Sequence, residues 1–182
     1  MDNRLDFYFD DKTHTYYLNK KIIPNVTSIL QAEGLINYTG NNNWYMERGK
    51  YLHEAIKLYL EDNLDRDNLD PQLEPLLQGF EKFLRDSKFK IEGFERPLYH
   101  PQYLYAGTPD LWGYLNKATT LIDIKSGSPA KWHILQLGAY QDLLKTNGIG
   151  ILAGVNLYLD EGKYNLQSVS ARDLQKGLSV FL

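Results

Sequence analysis

The chain has 182 residues, 43% hydrophobic and 24% charged, a balance typical of a folded globular domain rather than of a disordered or fibrous chain. It contains no cysteine, which excludes disulfides, thiolate zinc sites, iron–sulfur clusters and cysteine nucleophiles. Its formal net charge of −3 gives no overall positive field of the kind that indicates nucleic-acid binding. With no signal peptide or membrane span in the sequence, we expect an intracellular, cytoplasmic protein with no membrane partner.

The N-terminal region predicts a small β-meander followed by a short helix. Hydrophobic and polar residues alternate in short runs that turn at residues 10–12 and 19–21, a pattern typical of antiparallel strands. Thr27 or Ser28 then offers an N-cap for a short apolar helix that Gly34 ends. We therefore predict a single domain over residues 1–182, with the meander and helix in residues 1–35 and the core in residues 41–182.

Helical and β-rich segments alternate through the core. Helical spacing of hydrophobic residues predicts helices over residues 44–60, 73–87, 130–145 and 171–182. Short β-rich runs predict strands over residues 89–99, 103–106, 110–115, 120–124, 149–159 and 164–169. The acidic stretch over residues 61–70 predicts a solvent-exposed loop. This order favours a mixed α/β domain with a central sheet rather than a barrel or a bundle.

The candidate chemistry starts from Asp123, Ile124 and Lys125. On a strand, side chains two positions apart share a face, so Asp123 and Lys125 project together while Ile124 enters the core. If residues 115–118 form a hairpin turn, Asp110 on the preceding strand lies near Asp123. Two carboxylates with adjoining backbone carbonyls suit Mg²⁺ or Mn²⁺. Such an ion can bind a phosphate and activate water, and Lys125 can orient or deprotonate that water or neutralise charge on the phosphate.

Each candidate residue also has a purely structural interpretation. Asp123 and Lys125 fit a surface ion pair on a half-exposed strand. His53, on the predicted 44–60 helix, fits a metal ligand or an ordinary core or surface histidine. Glu95 fits either a metal-binding carboxylate or a solvated strand residue.

A second candidate pair, Gln136 and Tyr140, lies on the helix that follows the strand pair. Residues four positions apart share one helix face, so this pair can offer an amide and a phenol to a phosphate or a base. Alternatively, Tyr140 is half-buried core and Gln136 is surface.

Together these residues resemble the PD-(D/E)xK nuclease superfamily and, within it, the RecB-like exonuclease branch. The motif residues are Pro109-Asp110 and, twelve residues later, Asp123-Ile124-Lys125. The further elements of the branch are Gly49 to His53 on an early helix, Glu95 on the first core strand, and Gln136 to Tyr140. Residues 23–30 also resemble the Pro-Ser-Val-Thr-x-Ile-Leu segment of small phage-type members and of the mitochondrial genome maintenance exonuclease, with Asn25 in place of the serine.

The resemblance implies a restriction-endonuclease-like core, with a central mixed sheet flanked by helices, and divalent-metal-dependent hydrolysis of DNA phosphodiester bonds. The implied catalytic residues are Asp110, Asp123 and Lys125. The implied ligands of Mg²⁺ or Mn²⁺ are Asp110, Asp123, the Ile124 carbonyl, His53 and Glu95. The implied substrate-binding residues are Gln136 and Tyr140, and we add Arg48 as a predicted phosphate contact. The iron–sulfur cluster of several relatives is excluded by the absence of cysteine.

We therefore predict a DNA exonuclease of recombination, repair or phage DNA processing. The aromatic residues predicted to stack on unpaired bases are Trp44, Tyr51 and Trp132. The residues predicted to attract the DNA phosphates by positive charge are Lys117, Lys131 and His133. This combination favours single-stranded or frayed ends over duplex DNA. The alternatives are an endonuclease on flaps or branched DNA, a catalytically idle nucleic-acid-binding module and a glycan-binding domain. Digestion polarity stays open, as does assembly into a homo-oligomer.

Overall fold

The structure, a computed structural model, describes residues 6–36 and 43–182. The first three strands, β1 (Phe7–Asp10), β2 (Thr15–Leu18) and β3 (Lys21–Ile23), form an antiparallel sheet in chain order. This confirms the predicted meander. The predicted boundary between residues 35 and 41 lies largely outside the described residues.

The first helix, α1 (Val26–Ala32), begins earlier than its sequence suggested. Asn25 is the N-cap: its side chain accepts the Ser28 N–H at 2.8 Å, and the Ser28 hydroxyl accepts the Asn25 N–H at 3.0 Å. The prediction of Thr27 or Ser28 as N-cap was therefore wrong. Ser28 is instead the third helical residue of a reciprocal capping pair, which satisfies two backbone donors at once.

Two longer helices precede the central sheet, α2 (Asn43–Leu60) and α3 (Glu74–Ser87). Between them, the predicted loop contains one 3₁₀ turn, Arg66–Asn68. The Arg66 guanidinium lies 2.6 Å from carboxylate oxygens of both Glu74 and Glu81, which ties this turn to α3.

The remaining elements build a central sheet with helices on both sides. The strands are β4 (Lys90–Phe94), β5 (Leu98–Tyr99), β6 (Ala106–Gly107), β7 (Leu111–Leu115), β8 (Ala118–Lys125), β9 (Ala153–Asp160) and β10 (Lys163–Val169). The last two helices are α4 (His133–Thr146) and α5 (Ala171–Phe181), the latter with Ser170 as its N-cap. Five strands form one sheet in the order β10-β9-β8-β7-β4, while β5 and β6 form a separate two-stranded ribbon. Only the β8–β9 pair of the five-stranded sheet is parallel, so the predicted mixed α/β architecture is confirmed.

The sheet separates two hydrophobic cores. Ile122 and Ile124 of β8 pack with α2 and α3, whereas Leu121 packs with α1, α4 and α5. Because successive residues of a strand face opposite sides, Asp123 and Lys125 lie on the α4 side. The polar pair is thus placed under a helix rather than in solvent.

None of the described helices has an apolar stretch long enough to cross a bilayer.

Candidate active site

A tight hairpin brings the motif carboxylates together. Strands β7 and β8 are antiparallel, with Leu115 paired to Ala118 and Leu111 paired to Ile122. The turn between them has φ +49° at Asn116 and +70° at Lys117, the left-handed values of a two-residue type I′ hairpin. One further step along this register places Asp110 opposite Asp123, so the predicted hairpin is confirmed.

Asp110 belongs to a cluster drawn from three elements. His53 projects from α2, Glu95 follows the end of β4, and Asp110 precedes β7. The His53 Nδ1 atom lies 3.2 Å from Glu95 Oε1 and 3.4 Å from Asp110 Oδ1. One candidate ligand atom from each residue lies within 4.8 Å of the others. The other Asp110 oxygen, Oδ2, accepts the Ile124 N–H at 2.6 Å, which fixes the carboxylate plane.

Glu95 occupies an unusual backbone position. Sequence analysis placed it within a strand over residues 89–99, but β4 ends at Phe94 and Glu95 has φ +43°. This left-handed conformation is uncommon for a residue with a side chain. The Glu95 N–H donates to the Asp110 carbonyl at 3.0 Å, so the bend holds the two carboxylates next to each other.

Asp123 and Lys125 form a buried network with α4. The Lys125 Nζ lies 2.5 Å from Asp123 Oδ2 and donates to Gln136 Oε1 at 2.7 Å. The Gln136 Nε2 in turn donates to the Tyr140 hydroxyl at 3.2 Å and to the Thr27 hydroxyl at 3.4 Å. Asp123 is 1% exposed and Gln136 is 6% exposed, so the interpretations as a surface ion pair and a surface amide are both wrong.

Burial and charge shift the acidity of this cluster. Burial raises the pKa of the Asp123 carboxyl to about 6, although Lys125 opposes the shift. At Asp110, burial also favours the neutral form, but the charges and hydrogen bonds of His53 and the charge of Lys125 hold its pKa below the usual value. Burial alone would lower the pKa of His53, yet Asp110 and Glu95 raise it well above the usual value.

The donor set fits a divalent metal ion. The Asp123 Oδ1 atom is buried and accepts no hydrogen bond, a costly state for a carboxylate oxygen unless a cation lies against it. His53, Glu95 and Asp110 add two carboxylates and one imidazole beside it. Carboxylate-rich sites of this kind bind Mg²⁺ or Mn²⁺. The Ile124 carbonyl stays a predicted ligand, since the contact seen at this residue is through its N–H.

The cluster lies at the floor of a cavity of about 370 Å³. One wall is α2, which contributes Lys50 and Lys57, and another is the β1–β2 hairpin, which contributes Phe9 and His14. None of these four residues was predicted from the sequence as part of the site. Lys50 and Lys57 could have been found, because each is one helical turn from His53 on the same side of α2. The two hairpin residues gave no signal, because only tertiary packing brings the meander here.

Several predicted DNA contacts have other positions or partners. The Arg48 guanidinium donates to the Ser126 carbonyl at 2.5 Å and so links α2 to the loop after β8; its contact with phosphate stays a prediction. His133 is buried, and burial together with Lys125 lowers its pKa to about 3, so the prediction that it attracts DNA by charge was wrong. Lys117 lies in the hairpin turn, roughly 20 Å along β8 from Asp123 at about 3.3 Å per residue, too far for a contact with the reacting phosphate.

The predicted stacking residues lie outside the cavity lining. Trp44 and Tyr51 are exposed on α2, and the Trp132 ring centroid lies 5.4 Å from Lys125 Nζ. Trp132 therefore lies against one side of the Lys125 ammonium group. Stacking of any of the three on DNA stays a prediction.

Comparison with known proteins identifies the fold. No protein family and no curated protein matches the sequence. The crystal structure of a candidate exonuclease from Eubacterium rectale is similar at a TM-score of 0.54 and 14% identity, over 85% of this chain and 68% of that chain. Two structures of the alkaline exonuclease LHK-Exo from Laribacter hongkongensis, one in complex with dAMP, give TM-scores of 0.37 and 0.39 at 13% and 14% identity. They cover 86% and 87% of this chain and 84% and 85% of the other. The chain therefore shares its fold with the first of these structures, in agreement with the fold that its motifs predicted.

Proposed function

We propose that this protein is a divalent-metal-dependent deoxyribonuclease, an exonuclease that hydrolyses phosphodiester bonds at single-stranded or frayed DNA ends. One observation carries the proposal: Asp110 and Asp123 face each other on adjacent strands, with Lys125 beside them and a buried Asp123 oxygen that no donor satisfies. The fold shared with a candidate exonuclease agrees with it. A surface ion pair or an assembly module has no need for this arrangement.

The proposed roles follow from the contacts of each residue. A bound Mg²⁺ or Mn²⁺ would lower the pKa of an attacking water and offset charge on the phosphate. Asp110 and Asp123, with His53 and Glu95 beside them, would hold that ion. The backbone N–H of Ile124 keeps the Asp110 carboxylate in a fixed orientation for this purpose.

Lys125 is positioned to act on the phosphate or on the water. A lysine ammonium has three N–H donors, and two of the Lys125 contacts are to Asp123 and Gln136. We propose that the third N–H reaches a non-bridging phosphate oxygen, where it would stabilise the charge that develops in the transition state. Gln136, which donates to the Tyr140 hydroxyl, holds the lysine from the α4 side, and we propose that Gln136 and Tyr140 also contact the substrate backbone.

Cleavage of labelled DNA tests the proposal. End-labelled single-stranded, duplex and circular DNA are incubated with the protein in Mg²⁺ or Mn²⁺, with and without EDTA. We expect terminal nucleotides to be released from linear DNA alone, and EDTA to stop the release. Lys125→Met should abolish it, whereas Lys145→Met, at the exposed C-terminal end of α4, should leave it unchanged.

The other outcomes discriminate the alternatives. Cleavage of circular DNA would identify an endonuclease. Binding of DNA with no cleavage of any substrate in either metal would favour an idle nucleic-acid-binding module. Equal activity of the Lys125→Met and wild-type proteins would show that cleavage does not use this site.

A further inference from the structure

The β1–β2 hairpin builds an aromatic wall over the acidic cluster. Phe9 and His14 line the cavity, and their ring centroids lie 5.2 Å apart with the planes at 88°. Phe9 also packs on Tyr16 at 4.6 Å. The Tyr16 hydroxyl lies 2.8 Å from the Thr108 hydroxyl, so the wall is fixed to the segment that leads into Asp110.

A second wall, on α2, is mainly cationic. Lys50, His53 and Lys57 lie on one side of the helix, and the exposed Glu54 also lines the cavity. Lys50 and Lys57 are separated by about 10 Å along the axis at 1.5 Å per residue, with His53 between them. This wall therefore carries one lysine on each side of His53, a member of the acidic cluster.

The two walls suit different parts of a nucleotide. Phosphates are attracted to the lysines, whereas Asp11 on the hairpin side repels them. The uncharged face of a base suits the aromatic wall, because base–aromatic stacking requires no particular base. The cavity of about 370 Å³ is near the small end of the range for ligand pockets, which favours one unpaired nucleotide over a base pair.

We propose that Phe9 stacks on an unpaired base next to the scissile phosphate, so that the β1–β2 hairpin selects single-stranded ends. This inference rests on the proposed nuclease function and names the element that sets its substrate class. Lys50 and Lys57 bind the phosphates on either side of the scissile one. Phe9 is therefore a specificity-determining residue rather than a catalytic one.

The strand itself offers a matched control. Tyr8 is the neighbouring aromatic residue of β1, and it is 59% exposed on the opposite face of the meander. Tyr8 packs on Tyr17 at 6.0 Å and does not line the cavity. Phe9→Leu and Tyr8→Leu thus remove the same kind of side chain from the same strand, one inside the site and one outside it.

Fluorescence of 2-aminopurine reports stacking without cleavage. Single strands with 2-aminopurine at the 5′ or the 3′ terminus are added, in Mg²⁺, to the Lys125→Met protein. We expect the Lys125→Met protein to quench the 2-aminopurine fluorescence. The quenching should persist when Tyr8→Leu or Phe9→Trp is introduced into that protein, and it should be lost when Phe9→Leu is introduced. Quenching that survives Phe9→Leu would overturn the inference. Thermal unfolding of each variant establishes that it is folded.

Cleavage by proteins that retain Lys125 separates the inference from the function on which it rests. Phe9→Leu should slow cleavage of an intact single strand by about 5- to 150-fold, the range expected for loss of one base–aromatic stack. On a strand whose terminal nucleotide has no base, wild type and Phe9→Leu should be equal. A loss of the same size on both strands would overturn the role of Phe9. Failure of the wild-type protein to cleave any DNA would instead overturn the nuclease function.

Discussion

Two histidine–aspartate contacts in this fold use the same residue types for different purposes. In the first, the His53 Nδ1 lies 3.4 Å from Asp110 at the floor of the cavity. In the second, the His100 Nε2 lies 3.1 Å from Asp142 on α4. Helix and strand periodicity does not separate the two, since each is a histidine with an acidic partner distant in the chain; only the Gly49 to His53 motif element marked His53.

The second contact is closed, in the sense that its histidine and its aspartate also bond to neighbouring protein groups. The His100 Nδ1 accepts backbone N–H groups from Gln102 and Tyr103, at 3.2 and 3.1 Å. The Tyr105 hydroxyl donates to the same Asp142 oxygen at 3.2 Å, and the His100 and Tyr105 rings stack at 5.3 Å. This network ties the 100–105 loop to α4.

The first contact is open, in the sense that it borders the cavity. Beside it, Asp123 keeps a buried oxygen with no donor, and Glu95 and His53 border the cavity. The two contacts thus differ in their surroundings: the predicted metal site borders the cavity and includes an unsatisfied carboxylate oxygen, whereas the histidine and aspartate of the second contact bond to neighbouring protein groups. A buried polar network with all of its partners present stabilises the fold instead.

The largest expected effect is on DNA cleavage, which should depend on Asp110 and not on Asp142. Asp110→Asn removes the charge of one predicted metal ligand, and we expect metal-dependent DNA cleavage to fall by about 10²- to 10³-fold, as when one transition-state-stabilising group is lost. Asp142→Asn makes the same change in the closed contact and should leave the rate per folded molecule unchanged. Release of end label measures both. Equal losses would end the functional distinction between the contacts.

Metal binding should stabilise the folded protein through the first contact, between His53 and Asp110, and not through the second. Mn²⁺ at about 100 times its dissociation constant should raise the free energy of unfolding by about 2.7 kcal/mol. Denaturant unfolding with Mn²⁺ and with EDTA measures this difference. Asp110→Asn should lose most of the rise, whereas Asp142→Asn should keep it. If both variants keep the full rise, the ion binds elsewhere.

A third histidine extends the comparison to pH. The pKa of His133 is lowered to about 3, by burial and by Lys125, from the usual 6.5. Its contribution to stability is therefore complete above pH 6.5 and is lost as the pH falls toward 3, because the unfolded chain binds the proton first. We expect wild type to lose about 1 kcal/mol more per pH unit than His133→Asn between about pH 6 and pH 4.

Urea unfolding at several pH values measures this difference. Asparagine keeps an acceptor near the Nδ1 position, which receives the Ala130 N–H at 3.3 Å, but it does not titrate. Parallel pH profiles of the two proteins would show that His133 binds its proton equally well in the folded and unfolded chains.

The smallest expected effect is on the stability provided by the closed contact. Asp142→Asn replaces a charged acceptor of Tyr105 and His100 with a neutral one, so we expect the free energy of unfolding to fall by about 1–2 kcal/mol. That corresponds to a drop of roughly 2–8 °C in the melting temperature, which calorimetry measures. An unchanged melting temperature would show that this network does not stabilise the fold.

Local patterns were sufficient for much of the site. The spacing of Asp123 and Lys125 fixes their shared face, and the short turn at Asn116 fixes the register that places Asp110 opposite Asp123. Helical spacing likewise placed Gln136 and Tyr140 together. These relations depend on backbone periods that span only a few residues.

Other parts of the site depend on contacts that local patterns do not encode. Glu95 reaches His53 only because β4 ends at Phe94, the residue before it, and the chain bends at Glu95 through a left-handed backbone conformation. The capping pair of Asn25 and Ser28 was not predicted, because Thr27 and Ser28 are also residue types that act as helix N-caps. Sequence periodicity carries no information about either choice.

The sequence by itself determined most of the strands and helices, the hairpin that pairs the two aspartates, and the motif residues Asp110, Asp123 and Lys125. The tertiary structure decided that His100 anchors a loop to α4 and that Glu95 joins His53 beside the cavity. It also placed Phe9 over the acidic cluster through the contact between Tyr16 and Thr108, 92 residues apart in the chain. The physical reason is that periodicity is set by local backbone geometry, whereas a cavity exists only where elements distant in sequence pack against one another.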